Sequence, residues 1–130
     1  MSDSDNGGRV ASHENLLVWQ KSINLVEKIY IATSKYPSDE KFGLISQMRR
    51  SAVSIPSNIA EGKSRNTTKD FIQFLHIALG SLAELDTQIV IAEKLKFSSN
   101  KECVNLRQQT LELKLMLSKL IAVLKTKAHT

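Results

Sequence analysis

The chain has 130 residues, a formal net charge of +5 at pH 7 and a single cysteine, Cys103. One domain of ordinary size fits that length, an intrachain disulfide is excluded, and 5% aromatic residues with two prolines favour helices over a sandwich or barrel of strands. Asn6-Gly7 lies in a polar stretch instead of between alternating segments, and no apolar run approaches bilayer-spanning length, so the expectation is a cytoplasmic protein without membrane association.

Residues 1–15, MSDSDNGGRVASHEN, are polar and lack the apolar core of a signal peptide, so they are expected to form a disordered leader outside the fold. A first helix is predicted from Leu16 to Tyr36, with Asn15 as N-cap and Trp19, Ile23, Val26, Tyr30 and Thr33 on one stripe. Pro37 ends it. Ser38 can cap the second helix, where Asp39 and Glu40 suit the positive end of the helix dipole.

The stretch from Phe42 to Gly62 reads FGLISQMRRSAVSIPSNIAEG, a helical pattern with Pro56 deep inside it. A proline there cannot donate to the carbonyl of Ala52, and its ring crowds that group at a cost of roughly 3 kcal/mol. Ile45, Met48, Ala52, Ile55 and Ile59 nevertheless keep a helical period through it. A kinked helix is predicted, with packing as compensation, Ser57 and Asn58 serving the freed backbone groups, and Gly62 as the stop.

A third helix is predicted from Thr67 or Thr68, with Phe71, Leu75, Ala78, Leu82, Leu85, Ile89 and Ala92 recurring in alternating steps of four and three. Gly80 inside it is read as a point of close packing. Ser99 and Glu102 have capping-box spacing ahead of a fourth helix, which places Leu106, Leu113, Leu117, Leu120 and Leu124 on one face and ends near Lys125. The fold class is therefore all-α: an antiparallel up-down-up-down four-helix bundle over residues 16–126, with 127–130 as a tail.

Two helices carry more apolar surface than one stripe needs. Ile72, Leu79, Ala83 and Val90 mark a second face of the third helix; Val104, Leu111, Leu115 and Ala122 mark one on the fourth. Self-association would cover them. The alternative is a wide core face with a few exposed leucines.

The string from Ser54 to Gly62, SIPSNIAEG, closely resembles the bacterial four-helix bundle family called 23S rRNA intervening-sequence proteins. Phe42-Gly43-Leu44 and the run from Gln47 to Val53 precede it in the family's order, and Val18-Trp19-Gln20, Phe74-Leu75, Ala78-Leu79-Gly80-Ser81 and Glu84-Leu85 also match. Met48 stands where the family often has leucine. The resemblance runs from about Leu16 to Leu124 and extends to the accessory variability determinant of diversity-generating retroelements. It implies a ring-like homo-oligomer, a pentamer, with RNA or DNA and a reverse transcriptase as candidate partners.

Excess positive charge sits mainly in residues 96–130, which carry +5. Lys63, Arg65 and Lys69 surround the start of the third helix, where free backbone N–H groups favour anions. Arg107, Lys114 and Lys125 fall on one line of the fourth helix and could follow a phosphate backbone, although a solvated basic face has the same pattern. No aromatic residues interleave to stack bases, so sequence-specific reading of single strands is not expected.

Arg49 and Arg50 can instead brace helix seams, with Glu61, Glu84 and Asp86 as candidate partners. Pro56 and Asn58 join them as structural or interface residues. His13, His76 and His129 lie apart without ligand-spaced companions, and no nucleotide-binding glycine loop occurs. Neither metal nor cofactor is expected, nor an enzyme. The sequence points to a scaffold or accessory factor that binds nucleic acid through repeated basic surfaces; the alternative is a protein-binding scaffold without nucleic-acid contact.

Overall fold

The computed structural model describes the backbone of residues 4–128 and the side chains of residues 17–127. Four helices follow one another: α1 (Ser4–Thr33), α2 (Leu44–Lys63), α3 (Thr68–Lys94) and α4 (Asn100–Ala128). A single 3-10 turn, Ser38–Glu40, precedes α2, and the described residues contain no strand. α1 packs on α2 and α4, and α3 packs on α2 and α4, so the four helices enclose one core.

The backbone of α1 begins at Ser4, ahead of the expected start at Leu16, so Asn15 lies within the helix. The side chains of the expected leader, Asn15 and His13 included, lie outside the described residues, as does His129. The buried line of α1 is Val18, Ser22, Leu25, Ile29 and Ala32, one residue out of step with the expected stripe, and Tyr36 continues it in the turn that follows. Of that stripe Thr33 is buried and Val26 half-buried, while Trp19, Ile23 and Tyr30 are exposed.

The two lines share the same helical spacing, and Ser22 disguised the true one. Its hydroxyl donates to Trp19 O at 2.6 Å, and that of Thr33 to Ile29 O at 2.7 Å, so both polar groups are satisfied inside the core.

α2 begins at Leu44, not beside Ser38. Asp39 and Glu40 fall in the 3-10 turn, and the residue before the helix is Gly43, which has no capping side chain. The carboxylate of Glu40 fills that gap by accepting from Leu44 N at 3.2 Å. An acidic residue does serve the start of α2, but from the 3-10 turn and without a cap at Ser38.

Helical backbone continues through Pro56, which is buried with Ile55 and Ile59. Ser57 Oγ donates to Val53 O at 2.8 Å and Asn58 Nδ2 to Ser54 O at 2.8 Å, the carbonyls one and two residues beyond that of Ala52, so neither side chain serves the group that Pro56 frees, contrary to expectation. The helix ends at Lys63, beyond Gly62, and no glycine among the described residues has a positive φ. Gly62 is needed for room: a Cβ there would lie 2.6 Å from the Cβ of Phe74 and 2.9 Å from Cδ1 of Phe71.

α3 starts as expected, with the Thr67 hydroxyl accepting from Asp70 N at 3.1 Å. All seven residues of its predicted seam are buried. Gly80 departs from its reading as a close-packing point, since a Cβ there would meet nothing within 4 Å.

The turn after α3 carries Lys96 at φ 65°, while Phe97 N bonds to Ala92 O at 2.8 Å and Lys96 N to Glu93 O at 2.9 Å. These paired bonds close the helix through a left-handed residue that is usually glycine. Ser99 Oγ then accepts from Glu102 N at 3.1 Å ahead of α4, which runs past the expected end at Lys125 to Ala128. The five leucines predicted for its inner face are all buried.

By length and mean hydropathy (1.3 over 18 residues) α3 alone of the described helices could cross a membrane, which amends the sequence reading. Its buried seam packs into the bundle, as a core helix of a soluble protein does.

Candidate nucleic-acid and assembly surfaces

Lys63 ends α2, Arg65 follows in the turn and Lys69 lies in the first turn of α3. Arg65 is already engaged: its Nη2 donates to Glu61 at 2.7 Å and its guanidinium lies 4.8 Å from the centroid of Phe74. Lys63, Lys69 and Lys125 are exposed and have no carboxylate partner among the described residues. An exposed lysine without an acidic neighbour keeps its full charge for an incoming phosphate.

Arg107 differs from the other cations on its line. Its Nε and Nη2 each donate to Asp86 at 3.2 Å, and this hydrogen bonding holds the guanidinium above its usual pKa. Thr110 Oγ1 adds a bond to the same carboxylate at 2.8 Å. Arg107 therefore ties α4 to α3. Lys114 shares its line but carries no such pair, and Lys125 lies near the end of the helix.

The two arginines of α2 go to opposite seams. Arg49 Nε donates to the Thr33 hydroxyl at 2.9 Å and its Nη2 to Tyr30 O at 3.3 Å, with the guanidinium 4.4 Å from the Tyr30 ring centroid. It braces the carbonyl end of α1, where a cation is favoured, and needs no carboxylate. Arg50 pairs with Glu84 at 3.4 Å, and the Ser51 hydroxyl donates to that same carboxylate. Ser54 and Ser81 bond at 2.8 Å, with Asn58 donating to the Ser54 hydroxyl at 3.0 Å, so the α2–α3 seam is polar along its outer edge.

One apolar groove remains open. Between α3 and α4, Leu79, Leu82, Ala83, Val104 and Leu111 line a cavity of about 640 Å³, rimmed by Lys114 and the Asp86–Arg107 pair. Val104, Leu111 and Leu115 are among the exposed large apolar residues, Leu111 at 54%. The second face expected on α4 is exposed at Val104, Leu111, Leu115 and Ala122, whereas on α3 only Ala83 is exposed and Ile72, Leu79 and Val90 are half-buried, Ile72 and Leu79 against the core.

Along α1 and α2 the exposed large apolar residues are Leu17, Trp19, Ile23, Tyr30, Ile31 and Val53; of these, Trp19, Ile23 and Tyr30 belong to the stripe expected to face the core. Their signal was the doubling of apolar lines on α1. Grooves of this kind offer binding surface without a convergent acid, base or nucleophile.

Cys103 is buried, and burial and the nearby Glu93 push its thiol above the usual pKa. Tyr36, packed 5.7 Å from Phe97, is pushed up to about 12 by burial and the charge of Glu102. Both groups are neutral at physiological pH. Among the described residues no three His, Cys, Asp or Glu side chains converge to hold a metal ion.

The described residues thus form an all-α, four-helix fold with an open apolar groove between α3 and α4 and exposed lysines without carboxylate partners. Over residues 14–119 the chain matches the family model described as 23S rRNA-intervening sequence protein, and it belongs to that family. No curated protein matches it. A solved structure of similar fold is a protein with unknown function from the S23 ribosomal protein family of Bacteroides thetaiotaomicron VPI-5482, at TM-score 0.77 and 22% identity, covering 84% of this chain and 98% of that one. At that identity the likeness speaks for the fold alone.

Proposed function

We propose that the protein is a non-enzymatic, cytoplasmic, homo-oligomeric scaffold or accessory factor that holds RNA or DNA on repeated basic surfaces. The observation that carries the reading is the set of uncompensated lysines Lys63, Lys69 and Lys125. In this reading the topology is up-down-up-down, supported by contact numbers that rise on one helix as they fall on the other: Ser51 with Glu84 and Ser54 with Ser81 for α2 and α3, Asp86 with Arg107 and Glu93 with Asn100 for α3 and α4, and Lys21 with Glu112 and Lys35 with Glu102 for the first helix and its following turn against α4. In that register the Asp86–Arg107 contact carries Lys125 to the level of Lys69. All three lysines then share one end of the bundle.

A single such cluster is a weak phosphate site, and several on one assembly act together. The copy number, five, and a reverse transcriptase as protein partner rest on the family resemblance. The second reading, a protein-binding scaffold, is favoured by the α3–α4 groove, whose apolar lining suits a partner helix.

Titration with labelled RNA and DNA between about 50 and 200 mM salt separates the two, since phosphate binding weakens with a slope of about 0.9 per contact on duplex DNA. The first reading expects affinity that falls with salt and a shallower slope for the Lys63→Ala, Lys69→Ala, Lys125→Ala triple variant. No binding at low salt by assembled protein contradicts it.

A further inference from the structure

We propose that the α1 ridge of one copy seats in the α3–α4 groove of the next, with Glu27 of the first copy against Lys114 of the second. The inference rests on the self-association in the function proposed above and assigns it a surface, a direction and a charge pair.

The two surfaces are unlike. Trp19, Ile23 and Tyr30 are bulky, exposed side chains on α1, whereas the small Ala83 is among the residues that line the α3–α4 groove. Bulky groups can fill a cavity of about 640 Å³ that its own side chains leave open. Tyr30 and Thr33 meet Arg49 of α2, while Lys21 on α1 and Lys35 in the turn after it meet Glu112 and Glu102 of α4. The ridge therefore lies on the α2 side of α1. Because α1 and α2 touch α4 and α3 respectively, that side is across the bundle from the α3–α4 groove.

Charge selects the pairing. Glu27 is exposed on α1 between Ile23 and Tyr30 in sequence and has no ion-pair partner among the described residues. Lys114 at the rim of the groove has none either. Arg49, the other charge beside the ridge, is occupied by Tyr30 and Thr33. A two-fold contact of groove with groove sets the cationic rims of two copies against each other, and ridge with ridge does the same for Glu27. Ridge into groove joins opposite charges. A contact between unlike patches on opposite sides is head-to-tail, and such a contact closes into a ring when the rotation per copy permits.

The test is light scattering on dilution of the full chain, for the wild type, Glu27→Lys, Lys114→Glu and the double variant, with circular dichroism to check folding. Each single reversal is expected to move the dissociation midpoint to about tenfold higher concentration, and the double reversal to restore it. Trp19 emission should shift to the red as the wild type dissociates. Single variants that assemble like the wild type, or a Trp19 emission unchanged by dilution of an assembling wild type, overturn the ridge-in-groove contact while leaving self-association standing. A wild type that stays monomeric at micromolar concentration overturns both.

Discussion

Gly62 and Gly80 sit in adjoining helices with opposite surroundings. The backbone of α2 at Gly62 approaches the first turns of α3 so closely that a methyl group would overlap Phe74 and Phe71, while Gly80 faces open space. An added carbon in a packed seam forces neighbours off their rotamers at a cost of about 1–3 kcal/mol. In an exposed helix interior, alanine instead stabilises by about 0.5–1 kcal/mol relative to glycine. Gly62→Ala is thus expected to lower the denaturant midpoint and Gly80→Ala to raise it, as measured by far-UV circular dichroism. Equal effects of the two would contradict the seam geometry. The close approach expected at Gly80 occurs at Gly62, which was expected to end the helix, because a helix stop and a close approach attract the same residue.

At the scale of elements, what could be read from pattern was the repetition of one residue type. Seven apolar positions on α3 and five leucines on α4 fixed which faces turn inward, and all are buried. α1 was legible as a helix but not in rotation, since buried Ser22 looks polar in the sequence and exposed Trp19, Ile23 and Tyr30 look like core. The capping of α2 by Glu40 depends on a 3-10 turn whose length no periodicity reveals.

The turn after α3 is the sharpest case. Lys96 occupies a left-handed position at φ 65° that the sequence does not advertise, as no glycine stands there. Left-handed backbone costs a residue with a side chain roughly 1–2 kcal/mol. Lys96→Gly is expected to raise the stability of the protein by about 1 kcal/mol in a urea melt, glycine recovering part of that strain. A loss of stability would show that the Lys96 side chain stabilises the turn more than its backbone strains it.

For the molecule as a whole, the core closes within one chain and two apolar strips remain outside it. Excess apolar surface was legible from the second face of α4; the location of its counterpart on α1 was not, because it required the rotation of that helix. The candidate phosphate cluster was legible as a list of cations, but the list could not separate lysines that remain free from arginines spent on Glu61 and Asp86. Exposed strips of this extent favour association, and association turns three lysines at one end of a bundle into a repeated cationic rim.

Light scattering on the purified chain at micromolar concentration reads that step most directly. The account predicts a closed assembly with a mass of five times 14.5 kDa. A homogeneous species of 14.5 kDa across that range would contradict it, leaving both strips facing water.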